Sequence, residues 1–290
     1  MATHYLCQNL PDMKKLLTIV FASMVLTGTA AAQGLKTPAP SPSTTVRQEF
    51  ALSNIELNYS RPAMRQRAIF GELVPFDKVW RTGANSATTL QFGEEVNIGG
   101  TVIKPGKYGL LSIPGANNWT IIISKQLDVT SPAAYKQDQD VVRFTAPVGT
   151  LPFSVETFTI MFGNVQANSC ELWIMWDKTF VSFPIVADVD SKVMKQIDQV
   201  MNVDSRPYFN AAVYYVDNNK DLNKALEWFN KAVAQQPEAF WVLYQKARCE
   251  AKLGKKADAI ATAQKSIAIA KAAKNDDYVK LNEDLIKSLK

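Results

Sequence analysis

The sequence predicts two domains of different class, all-β then all-α: an antiparallel β-sandwich followed by an array of helical hairpins. Three observations carry that expectation. Apolar and polar residues alternate with a period of two from about residue 46 to 187, the pattern of half-buried strands. At Asp188 the period lengthens to that of a helix, with small and aromatic residues recurring on one face. A step of 34 residues then separates Ala225 from Ala259, each opening a similar run, as in repeats of two short helices that stack on their neighbours.

Ahead of the strands the chemistry differs. Met13-Lys14-Lys15, an apolar run over 16–26 and Ala30-Ala31-Ala32 before Gln33 follow the charged, apolar, small-residue order of a secretory signal peptide. The expected leader is 1–32, with 1–12 an over-long start and cleavage after Ala32. Its apolar run is shorter than the roughly 20 residues of a bilayer crossing. Residues 33–45, with Pro38, Pro40 and Pro42, read as a Pro/Ser/Thr-rich tether, leaving 46–187 for the sandwich and 188–290 for the helical domain. No later apolar run reaches spanning length, so the product is expected in the periplasm or outside the cell with no transmembrane segment.

Removing the leader removes chemistry. His4, the chain's one histidine, and Cys7 leave with it, so Ser–His and Cys–His catalysis and imidazole-ligated metals have no residue to use. Cys170 and Cys249 remain, either bridged in an oxidising compartment or, for Cys249 on an apolar helix face, a small core residue. The formal net charge of +5 is modest and evenly scattered, which is no footprint for nucleic acid. No G-x-S-x-G elbow, C-x-x-C pair, phosphate-binding loop or dinucleotide fingerprint occurs. No cofactor and no metal are expected.

The strands follow in order. Ile55-Glu56-Leu57-Asn58-Tyr59 alternates, and Thr88-Thr89-Leu90-Gln91-Phe92 is the next strand. Val96-Asn97-Ile98 and Thr101-Val102-Ile103 flank Gly99-Gly100, a hairpin turn needing positive φ at both central residues. Lys104-Pro105-Gly106-Lys107 is a second turn. Segments 108–113, 119–124, 141–146, 154–162, 169–176 and 180–186 complete a set of eight or nine short strands. Trp173 and Trp176 differ in parity and so belong on opposite faces of one strand.

Ser191 is the expected cap of a helix whose face is Val193, Ile197, Val200 and Met201. Tyr208, Ala211, Ala212 and Tyr215 line the next helix, and Asp217-Asn218-Asn219 forms its turn. Ala225, Phe229 and Ala232 follow, closed by Pro237. A second unit runs from Phe240 through Ala247 and Leu253 to a stop at Gly254, then Ala259, Ala263 and Ile267. Tyr278, Leu281, Leu285, Ile286 and Leu289 form a last amphipathic stretch, expected to cover the open end. The paired alanines, closing proline and repeat step resemble the tetratricopeptide repeat over about 65 residues; a one-residue insertion in the first turn and Lys271 in place of a second proline depart from it. The resemblance implies a protein or peptide partner; the other reading is a stabilising or dimerising appendage.

Three phrases are unusual for strand filler: Tyr59-Ser60-Arg61-Pro62, Arg67-Ala68-Ile69-Phe70-Gly71-Glu72-Leu73-Val74-Pro75 and Val79-Trp80-Arg81-Thr82-Gly83-Ala84-Asn85. With Lys104-Pro105-Gly106-Lys107-Tyr108 and Trp119, their order and spacing resemble the secreted bacterial family catalogued as domain of unknown function 2911, over residues 43–187. That resemblance implies a sandwich-like fold and an export signal, and brings no catalytic residue.

The residues suggest chemistry of their own. Arg61, Arg67 and Arg81 lie in Pro- and Gly-rich segments, and guanidinium groups present paired donors to carboxylate or phosphate. Trp80 and Tyr108 offer flat apolar faces, and Asn85 an amide. Together they form a candidate pocket for a small polar or glycan ligand, or else they pin loops through backbone carbonyls. Glu171 and Asp177 are the candidate acid and nucleophile of a glycosidase. Asp138 with Asp140, and Asp188 with Asp190, lack the spacing of a calcium loop. The expected function is an exported non-enzymatic binding or scaffolding protein, with a ligand on the sandwich and a protein partner on the repeats. The alternatives are a carboxylate-dependent hydrolase of envelope sugars and a purely structural envelope protein.

Overall fold

The computed structural model describes residues 37–201 and 207–290. The expected leader, His4, Cys7 and the first part of the tether lie outside the described residues. Nine strands form one antiparallel sheet: β1 (Ser43–Phe50), β2 (Ser53–Ser60), β3 (Thr88–Phe92), β4 (Val96–Ile98), β5 (Thr101–Ile103), β6 (Gly106–Ile113), β7 (Asn118–Ser124), β8 (Asp140–Gly163) and β9 (Ser169–Val186). Their order is β1-β2-β3-β6-β7-β8-β9-β4-β5. Gly99 and Gly100 take φ values of 58° and 81° in the β4–β5 turn, the conformation that turn requires. β1 takes up Ser43 to Thr45, which the sequence assigns to the tether.

Two strands are long rather than short. Segments 141–146 and 154–162 join into β8, and 169–176 and 180–186 into β9. β8 pairs with β7 as far as Pro147, then with β9 from Val148 onward. It therefore leaves one half of the sheet and enters the other, so the sheet folds over a shared core containing Leu57, Leu90, Leu110, Ile121, Phe158, Leu172 and Phe183, with a smaller cluster of Ala87, Leu111, Ile122 and Val129 apart from it. Register shifts between Thr150 and Thr159 loosen the ladder where the direction changes. Trp176 points into the core and Trp173 outward, as parity requires. Beyond the left-handed Asp177 (φ 51°) the inward positions become Val181, Phe183 and Ile185.

Where β8 parts from β7, its free edge is covered by the chain after β2. Met64 N donates to Glu156 O at 2.8 Å, and Phe158 N to Pro62 O at 2.9 Å. The Tyr59 hydroxyl receives Ile160 N and donates to Ile160 O, each at 3.0 Å. Proline suits position 62 because only its carbonyl is needed there.

Among the described residues six helices follow: α1 (Val189–Val200), α2 (Tyr208–Asp217), α3 (Leu222–Gln235), α4 (Phe240–Lys252), α5 (Lys256–Ala272) and α6 (Asp276–Leu289). The cap of α1 is Asp188 rather than Ser191; the Asp188 carboxylate accepts from Ser191 N at 3.1 Å. Asp221 caps α3 and Asn275 caps α6, and Gly254 (φ 75°) ends α4. Ala211, Ala212, Ala225 and Phe229 pack together between α2 and α3.

The buried stripe of α5 is Ala259, Ala263, Ser266 and Ala270, so Ser266 takes the place expected of Ile267. The buried residue of α6 is Asn282, while Leu281 is exposed. Asn282 Nδ2 donates to Ser266 Oγ at 3.0 Å, and Ser266 Oγ to Phe240 O at 2.8 Å. Polar bonds, besides apolar cover, hold the last helix to the stack. No helix among the described residues is long and apolar enough to cross a membrane.

α1 joins the two parts. Val189 packs on the sheet core and Lys192 pairs with Glu94. On its other side Asp190 accepts from Lys220 at 2.7 Å and from Tyr214 at 2.9 Å. The bonds from Lys220, then Tyr214, hold the Asp190 carboxyl below its ordinary value, and the Ser191 bonds do the same for Asp188.

Replacing Tyr59 by Phe leaves both Ile160 backbone groups without their partner. Loss of about 1–3 kcal/mol is expected from urea unfolding, and an unchanged midpoint would show that water replaces the hydroxyl. Acid acts on the α1 joint. A carboxyl whose folded value is depressed contributes stability that is present above the unfolded value of about 4 and is lost as pH falls through the folded value. Amide exchange in α1 should therefore accelerate below about pH 4 more than exchange in α4, and Asp190→Asn should flatten that response.

Candidate functional site

Of the candidate residues, Arg61, Arg67, Trp80, Arg81 and Asn85 lie between β2 and β3, a stretch held in an unusual backbone, and Tyr108 lies on β6. Arg65, Gln66, Asp77, Thr82 and Asn85 all have φ between 50° and 60°, half of the positive-φ residues other than glycine among the described residues. Thr82 is β-branched and fully buried, so its conformation is costly, of order 1–3 kcal/mol. Neighbouring hydroxyls hold it: Thr82 Oγ1 lies 2.9 Å from Ser112 Oγ, and Thr88 Oγ1 donates to Thr82 O. Trp80 and Ser112 exchange both backbone bonds, at 2.7 and 2.9 Å.

The six candidate residues are each in contact with the fold itself. Arg61 donates from Nε to Phe158 O at 3.2 Å and from Nη2 to Thr159 Oγ1 at 3.0 Å, across the edge of β8. Arg67 bonds the Met64 and Ala63 carbonyls at 2.9 and 2.7 Å. Arg81 reaches Thr130 O at 3.0 Å, and burial lowers its pKa while leaving Nε without a partner. Trp80 is 9% exposed; it stacks on Trp176 at 6.1 Å and meets Phe158 and Trp119 edge-on at 5.1 and 5.9 Å. Its face lies in the core. Tyr108 packs near Phe92 at 6.0 Å and donates to Lys104 O at 3.0 Å.

Asn85 has an occupant from the same chain. Its Nδ2 donates to Ser41 O and Ser60 Oγ, each at 3.1 Å. Beside it Arg61 N bonds Pro42 O at 2.9 Å and Arg65 Nη2 bonds Pro40 O at 3.4 Å. The Pro-rich segment before β1 is thus bound, backbone to loop, where the sequence suggests an external ligand.

The candidate acids have structural partners as well. Glu171 accepts from Trp173 Nε1 at 2.7 Å and Asp177 from Ser154 at 2.8 Å. Asp140 pairs with Arg143 at 3.2 Å and accepts from Tyr135. Among the described residues no three His, Cys, Asp or Glu side chains gather as a metal-ligand set. Cys170 lies in the sandwich core and Cys249 among the helices, both free. Burial, then a neighbouring glutamate, pushes each thiol up to about 11.

An open groove of about 370 Å³ lies in the helical part, lined by Ile197, Asp198 and Met201 of the α1 end, Tyr208 of α2, and Lys224, Trp228 and Lys231 of α3. Lys224 Nζ sits 5.1 Å from the Trp228 ring and 5.8 Å from Tyr215; Lys231 Nζ sits 5.4 Å from Tyr208. These residues were legible only as a spacing, Lys224, Trp228 and Lys231 falling on one α3 face beside the buried Ala225–Phe229–Ala232 face. The repeat pattern draws the eye to that other face.

The family model described as "Protein of unknown function (DUF2911)" matches residues 41–185, half of the chain, and the chain belongs to that family. The match ends one residue short of the end of β9, before the helices begin. No curated protein and no solved structure matches the chain.

Arg61→Ala should cost about 2 kcal/mol, within the range for hydrogen bonds to charged groups, and Arg61→Lys should recover less than half, because a single ammonium cannot reach both acceptors as the planar group does. Arg67→Ala, exposed and bonded within its own loop, should cost much less. Equal losses in denaturant midpoint for the two alanine variants would contradict this ranking.

Proposed function

We propose that this member of the DUF2911 family is an exported, non-enzymatic binding protein. The sandwich acts as a rigid body and the helical hairpins engage a protein partner. One observation carries the reading: the guanidinium groups, Asn85 and Trp80 of the motif loops bond backbone carbonyls or fill the core, while the helices keep an open groove edged by lysines over aromatic rings. Donors that satisfy the fold's own carbonyls are not free to desolvate a sugar or anion without leaving those carbonyls unpaired.

Export rests on the charged, apolar, small-residue order of residues 13–32. The binding reading is favoured over hydrolysis because Glu171 and Asp177 each turn to a structural donor, whereas a glycosidase needs two carboxyls facing across a cleft.

The test uses the full mature chain. A specific protein recovered from an envelope extract by wild type and by Arg67→Ala alike, with no saccharide or metabolite raising Tm, is the expected result. A saccharide that raises Tm in wild type but not in Arg67→Ala would overturn it and move the site to the sandwich loops.

A further inference from the structure

We propose that the free edge of β1 pairs antiparallel with β1 of a second copy of this chain, making a two-fold dimer through the sandwich. The inference does not depend on what the helices bind. β1 is the edge strand on one side of the sheet and β5 on the other. β5 is three residues long, which leaves little ladder to extend. β1 has eight residues, no proline and no shift in its register with β2, so it lacks the devices that usually blunt an edge.

The bonding pattern shows which groups are free. Pro42 O accepts from Arg61 N at 2.9 Å, in line with the β1–β2 register, so the even-numbered residues of β1 bond to β2. Asn54 O accepts from Gly93 N at 3.0 Å, so the even residues of β2 bond to β3 and its odd residues to β1, in agreement. Bonded and unbonded positions alternate along an antiparallel pair. The N–H and C=O groups of Ser43, Thr45, Arg47 and Glu49 therefore point away from the sheet, and among the described residues no other strand lies on that side. Glu49 O takes the neighbouring Gln48 side chain at 2.9 Å, an exposed local bond that a strand amide can replace.

Charge selects the register. Antiparallel copies that match both free groups and faces must pair odd residues with odd ones. With Gln48 on the two-fold axis, Arg47 stands opposite the second copy's Glu49 and Glu49 opposite its Arg47, each pair exchanging both N–H···O bonds. On the other face the half-buried Val46 comes opposite the second copy's Phe50. With Arg47 on the axis two guanidinium groups meet, and with Val46 on the axis the arginines are diagonal neighbours. Opposite charges across a strand pair stabilise it and like charges oppose it, and no other register sets Arg47 against Glu49. Both side chains are exposed, and among the described residues neither belongs to an ion pair. Glu56 stands across from Arg47 on β2, and the second copy's Glu49 would approach from the opposite side. Leu52 N donates to Glu94 Oε1 at 2.8 Å, which fixes the tip of the hairpin that presents the edge. A two-fold pair uses each edge once and so stops at the dimer.

Sedimentation velocity of the full mature chain over a dilution series tests this. A reversible dimer that weakens with added salt is expected. Arg47→Glu and Glu49→Arg each set like charges opposite one another and should weaken the dimer about tenfold or more, with Tm unchanged because both positions are exposed. An equimolar mixture of the two variants should recover the dimer, since each supplies the charge the other lacks, and the chain carrying both substitutions should dimerise like wild type. A wild-type chain still monomeric at about 1 mM, a dimer untouched by either reversal, no recovery in the mixture or in the double variant, or assembly beyond the dimer would each overturn the proposal.

Discussion

The sandwich depends on closing one backbone edge. β8 is long enough to serve both halves of the sheet, and where it parts from β7 its peptide groups would face solvent or an apolar interior. Buried peptide groups must be paired, and an open edge invites pairing with another chain. Pro62, Met64, the Tyr59 hydroxyl and the Arg61 guanidinium together take that role. The Tyr59-Ser60-Arg61-Pro62 phrase is therefore first a closure device; the positive-φ Asn85 beside it bonds Ser60 and Ser41, while Thr82 is held separately by hydroxyls of β3 and β6.

This closure has a second effect. By bonding Pro40, Ser41 and Pro42, the same loops bring the incoming chain onto the domain before β1 begins. The arginines and asparagine are rich in donors, and the carbonyls of an extended proline-rich segment, which lack competing N–H groups at each proline, are suitable acceptors. A donor-rich loop thus ends with an internal occupant.

The helical part obeys a different rule. Alanine and serine on α5 let helices approach closely, and close approach leaves little room for large apolar cover. Asn282 and Ser266 then knit α6, α5 and α4 by hydrogen bonds. Helix α1 belongs to both parts, pairing with Glu94 on one side and with Lys220 and Tyr214 on the other. The groove opens beside that joint, so its wall and the coupling of the two parts share the same helix.

Periodicity made the order of classes, the β4–β5 turn, the parity of Trp173 and Trp176, and the hairpin alanines readable from the chain alone. Each depends on neighbours within a few residues. The merging of four strands into β8 and β9 was not readable, because a register shift changes no local alternation strongly enough to show. Asp188 as cap, Ser266 in place of Ile267 and Asn282 in place of Leu281 were equally hidden, since each is chosen by what stands across a helix interface. Arginine beside proline and glycine signals a loop with donors; whether those donors meet a ligand or the chain's own carbonyls is decided by segments nearly a hundred residues away, such as Phe158 for Arg61. The sequence by itself determined the local periods and the chemistry on offer, because both are properties of short segments. Only the tertiary structure decided which of that chemistry is used internally and which faces a groove, because a donor's partner is set by long-range packing.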